Sequence, residues 1–149
     1  MSVLLRAALL GAATGGRSMA GIAAVALTTP PGADPAWLGS RWGRIGATAA
    51  ALGELVGDKL PTTPSRLEPL PLTGRIMFGA VTGFLLSQRE GRPSGAPVLA
   101  AAAGAVGGAV LGRAWRGLAK RRGRPDLPAA LAEDAVVYAV AVTAAATAP

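Results

Sequence analysis

Eight side chains in this sequence could do chemistry: Arg17, Ser18, Glu54, Asp58, Lys59, Arg75, Glu133 and Asp134. Glu54 and Asp58 are four residues apart, which puts both carboxylates on one helix face. Two like charges at that spacing call for a proton, a bound cation or an arginine from another segment. Lys59 is next in sequence but points away from that face, so Arg17 and Arg75 are the natural partners. Glu133 and Asp134 are adjacent and diverge by about 100° on a helix, so they do not readily serve one site. Three chemistries follow. Glu54 and Asp58 could bind a cation or proton in a transporter. Arg17, Ser18 and Arg75 could hold an anion or lipid headgroup, since planar guanidinium suits phosphate and a helix break at Gly15-Gly16 would add backbone donors. Or the charges form structural ion pairs that lock helices together.

The composition removes other chemistries. The chain has no Cys and no His, which excludes disulfides, thiol nucleophiles, Cys/His zinc sites and imidazole acid–base catalysis. A Gly-x-Ser-x-Gly elbow, a phosphate-binding P-loop and the Asp/Gly-rich alcohol-phosphotransferase pattern are missing from the sequence. No cofactor is implied and the reading is of a non-enzyme. A membrane-embedded enzyme using Asp or Glu with a metal is the remaining catalytic alternative.

The elements that must position these residues are apolar runs. Of 149 residues, 51% are hydrophobic and 15% charged, against about 25% charged in soluble domains. Mean hydropathy is +0.42, and 34 Ala and 21 Gly make up over a third of the chain. Crossing ~30 Å of hydrocarbon takes ~20 mostly apolar residues. Val3–Thr28 is the first such run, with Arg17 in its interior, where a cleaved signal peptide carries no charge. Asp34-Pro35 reads as the start of a second helix over Ala36–Lys59. Pro61, Pro64, Pro69 and Pro71 make a non-helical connector. Leu72–Ser87, Pro97–Leu111 and Leu127–Ala148 are three further runs. The expected fold is all-α: one integral membrane domain over residues 1–149, with four to five transmembrane helices, five preferred, crossing the cytoplasmic (inner) membrane.

The net charge of +7 would suit nucleic acid, but the basic stretch Arg113–Arg124 lacks interleaved aromatics and abuts a membrane run. It reads as a cytoplasmic marker that contacts anionic lipid headgroups. Five crossings then put the N-terminus inside and the C-terminus outside. Arg6, Lys59 and Arg113 lie near run ends, where they could snorkel. Small-xxx-small spacings at Gly11/Gly15, Gly53/Gly57, Gly79/Gly83 and Gly104/Gly108/Gly112 predict close helix packing, within the bundle and in a homo-oligomer. Gly-Arg-x-x-x-Gly occurs at Gly16, Gly74 and Gly112, and Ala50–Glu54 is echoed by Ala129–Glu133. An internal repeat of the kind transporters use would account for both.

The segments Gly15–Gly21, Gly53–Pro61, Thr63–Arg66 and Leu72–Arg75, taken in that order, resemble the bacterial membrane family called domain of unknown function 4126. The resemblance runs from about Leu9 to Val142. It implies a small polytopic membrane protein, with Arg17, Ser18, Glu54, Asp58, Lys59, Pro61, Pro64, Arg66 and Arg75 at the matching positions and no role attached to any of them. Glu54–Lys59 also resembles, more distantly, the Glu-x-Gly-Asp signature of a cation/proton exchanger family. Here one extra residue separates Glu54 from Gly57, and Leu60 stands where that family has a hydroxyl.

Overall fold

A computed structural model describes residues 1–57, 69–123 and 125–147. All its regular structure is helical: α1 (Val3–Gly16), α2 (Ala20–Thr28), α3 (Ala36–Gly39), α4 (Arg41–Gly57), α5 (Pro69–Arg89), α6 (Gly95–Arg121) and α7 (Asp126–Ala146). Three helices are long and apolar enough to cross a membrane: Pro69–Arg89, Gly95–Arg121 and Leu127–Ala146. Large apolar side chains such as Leu70, Met77, Leu99, Leu111 and Val136 stay exposed, as expected where the surroundings are hydrocarbon rather than water.

The first expected crossing is not one helix. Val3–Thr28 is cut at Arg17–Met19 into α1 and α2, which run back against each other, with Gly21 lying on Thr14 across the turn. At 1.5 Å per residue α1 is about 21 Å long and α2 about 14 Å, so neither spans the hydrocarbon. The cause is local. Gly15-Gly16 is a weak helix former, and Arg17 adopts an extended backbone (φ −140°, ψ 115°) that ends α1. The second expected helix is also divided. Ala36–Gly39 is a separate short turn without a side-chain cap, and Asp34 does not cap it. The Ser40 hydroxyl instead accepts from the Gly43 amide (3.0 Å) at the start of α4. Three long apolar helices are thus present among the described residues, and α4 is described only as far as Gly57.

Small residues set the packing. A Cβ on Gly11 or Gly15 would overlap the backbone of α6 at Ala101 and Ala105, and one on Gly104 or Gly108 would overlap α1 at Ala8 and Ala12. Gly79 and Gly83 bring α5 onto the same stretch of α6. Backbones touch because no side chain keeps them apart, which replaces the hydrophobic drive that lipid cannot supply. Among the described residues, nothing from another element lies within 4 Å of a Cβ on Gly53 or Gly57, so that pair makes no close approach to another described helix. The three Gly-Arg pairs share no common setting: one is the hairpin tip, one lies in the second turn of α5, and one lies in uninterrupted α6.

Candidate functional site

The hairpin tip interrupts the helical hydrogen bonding inside the bundle: amides at the start of α2 and carbonyls at the end of α1 have no partner within their own helix. Charged side chains from two other helices meet them. Glu54, near the end of α4, accepts from the Ser18 amide (2.6 Å) and the Met19 amide (2.8 Å), one with each carboxylate oxygen. The carboxylate thus sits at the positive end of the α2 dipole. Arg75, from α5, donates to the Gly15 carbonyl (2.7 Å) at the negative end of α1. Its guanidinium also lies 3.9 Å from Glu54. Both side chains are largely withdrawn from solvent.

Arg17 takes a different partner. Its Nε donates to Asp134 on α7 (2.6 Å), and a terminal nitrogen of the same guanidinium also pairs with that carboxylate. Both residues are buried. Glu133 turns away toward α6, where Arg116 lies 3.9 Å off. The structure therefore brings together Arg17, Ser18, Glu54, Arg75 and Asp134 around the tip, while Glu133 belongs to the neighbouring α6–α7 contact. Asp58 and Lys59 lie outside the described residues. Among the described residues no group of three or more carboxylates could hold a metal ion.

A second polar layer was not evident from the sequence. Arg6 does not snorkel: it is 1% exposed, its Nε and a terminal nitrogen donate to the Ala144 and Ala145 carbonyls (2.9 and 3.3 Å), and it pairs with Glu90 at 2.9 Å. Arg89 donates to Thr28 Oγ1 (2.9 Å) and to the Ala145 carbonyl (2.8 Å) and lies 3.4 Å from Glu90. These contacts put the start of α1 and the ends of α2, α5 and α7 at one end of the bundle. Arg44, bonded to the Thr29 carbonyl (2.5 Å), adds the start of α4. The basic turns of α6 emerge at the opposite end. The expected arrangement, with the N-terminus on the side of Arg113–Arg124, is corrected: the hairpin returns the chain to the end where it began. The only sequence signal for this layer was a charge at the edge of each run.

No protein-family model matches the chain, and comparisons with curated proteins and with solved structures find no significant match.

Proposed function

We propose that this chain is a small multi-pass transporter or channel-like protein of the cytoplasmic membrane, with Glu54 and Arg75 at its polar site. Interrupted helices at membrane depth are where transporters bind ions, because the exposed ends of the half-helices carry partial charge. One observation carries the reading. At this break the α2 amides and the Arg75 guanidinium converge on a single titratable group, Glu54. A proton arriving at Glu54 removes its charge. The neutral carboxyl accepts from the Ser18 and Met19 amides more weakly, and Arg75 loses its counter-ion. The tip is then free to rearrange and to offer those donors to an incoming anion. In this proposal α4 completes a fourth crossing beside the hairpin, and the motif order of the domain-of-unknown-function 4126 family applies.

The test is proton flux into proteoliposomes carrying a pH-sensitive dye. The wild type should exceed both empty vesicles and the Glu54→Gln variant. Wild-type flux equal to empty vesicles over a panel of anions and cations would defeat the proposal. A structural or assembly module is the second reading, favoured by the match of two guanidiniums to two carboxylates at the tip. It predicts that Glu54→Gln lowers stability and changes no flux.

A further inference from the structure

A groove of about 420 Å³ runs between α1, α6 and α7. Gly16, Gly108 and Gly112 are among its lining, and Leu111, Trp115 and Val136 stand along it. The last three are exposed, so the groove opens sideways to the membrane. Glu133 is its one charged lining residue.

The same helix carries cations beyond the groove. Arg116 follows the lining residue Gly112 by four positions, and Arg122 follows Trp115 by seven, so both continue the groove stripe toward the end of α6. Arg122 is exposed and Arg116 partly so. Arg113, Lys120 and Arg121 add positive charge around them. From Gly95 to Arg113 α6 rises about 27 Å, so the turns beyond reach the headgroup level of a ~30 Å hydrocarbon layer. Trp115 donates its ring N–H to the Ala129 carbonyl (2.9 Å), which fixes an aromatic side chain at the apolar–polar boundary, where such rings anchor.

We propose that this groove holds one acyl chain of an anionic phospholipid, with the lipid phosphate on Arg116 and Arg122. The apolar walls suit hydrocarbon, and the basic rim is complementary to an anionic headgroup. The volume lies at the low end of the ~300–1,000 Å³ range of small-ligand sites. The proposal stands independently of transport at Glu54.

The test uses the full chain in detergent micelles with Trp37→Phe and Trp42→Phe, which leaves Trp115 as the reporter. Phosphatidylglycerol and phosphatidylcholine, each brominated in the acyl chain, are titrated in turn. Trp115 should be quenched at lower concentrations of phosphatidylglycerol. Arg116→Ala or Arg122→Ala should each weaken that binding on the order of fivefold. Ala132→Phe, at an exposed lining position, should abolish quenching by filling the groove. Equal quenching by the two lipids, full quenching of Ala132→Phe, or displacement of the lipid by inorganic phosphate alone would each overturn the proposal. So would a stable dimer that protects Trp115 from both lipids.

Discussion

The two polar layers use the same residue types for opposite ends. At the hairpin tip the backbone is interrupted inside the bundle, and each open end meets a side chain of opposite sign: Glu54 on amides, Arg75 on a carbonyl. At the far layer the helices simply finish, and two arginines cap the last carbonyls of α7 while sharing the single carboxylate of Glu90. The two layers are about 16 Å apart along α7, from Asp134 to Ala145. A buried charge is tolerable at either place only because its partner is fixed by other helices. The tip is charge-matched, with two guanidiniums facing two carboxylates and Glu54 alone on the open amides. The far layer is a set of cation caps, which helix C-termini favour. Function is therefore expected at the first and anchoring at the second.

The largest expected effect is at the tip. Arg17→Ala removes a guanidinium from the buried Asp134 carboxylate and should cost about 3–5 kcal/mol in reversible SDS unfolding from mixed micelles. Adding Asp134→Ala should recover much of that loss, and no recovery would show that Asp134 is not the main partner. Glu54→Gln keeps one acceptor for the two amides and should cost about 1–3 kcal/mol. Hydrogen exchange at Ser18 and Met19 should rise while the far layer keeps its protection; equal protection in both proteins would break the distinction drawn here. In the far layer Arg6→Met leaves Arg89 on Glu90 and on the Ala145 carbonyl. Its cost should be smaller, about 1 kcal/mol by the same unfolding assay. A cost equal to that of Arg17→Ala would erase the contrast between the layers. The smallest effect should come from Arg116→Ala. That side chain is about one-third exposed (32%) and 3.9 Å from Glu133, so thermal unfolding should change by no more than about 1 kcal/mol.

Much of the architecture was legible in residue order. The apolar runs Leu72–Ser87, Pro97–Leu111 and Leu127–Ala148 mark α5, α6 and α7, although the first two fall short of the ~20 residues a crossing takes and their helices extend past the runs at both ends. The glycine spacings at Gly11/Gly15, Gly79/Gly83 and Gly104/Gly108 coincide with close helix–helix contacts, whereas Gly53/Gly57, with the same spacing, meets no other described helix. Spacing places a small residue on a face but does not say which faces meet. The first run misled for a related reason: twenty-six residues interrupted only by Arg6 and Arg17 satisfy a length rule, and only the Gly15-Gly16 pair hinted at a break. Both Arg17 and Arg75 were legible as partners for Glu54; that Arg75 takes it while Arg17 goes to Asp134 was out of reach.

Composition and run length by themselves determined that this chain is helical, apolar and suited to a membrane. They also determined that its ionisable groups are few enough for each one inside a run to need a partner. Only the tertiary structure decided that the first run doubles back, that Glu54 and Arg75 close the break it leaves, and that Arg6 is a buried cap rather than a surface anchor. Helix formation depends on neighbours within a few positions, which a sequence displays directly. Ion pairing depends on which helix ends arrive at the same depth, and the fold alone sets that.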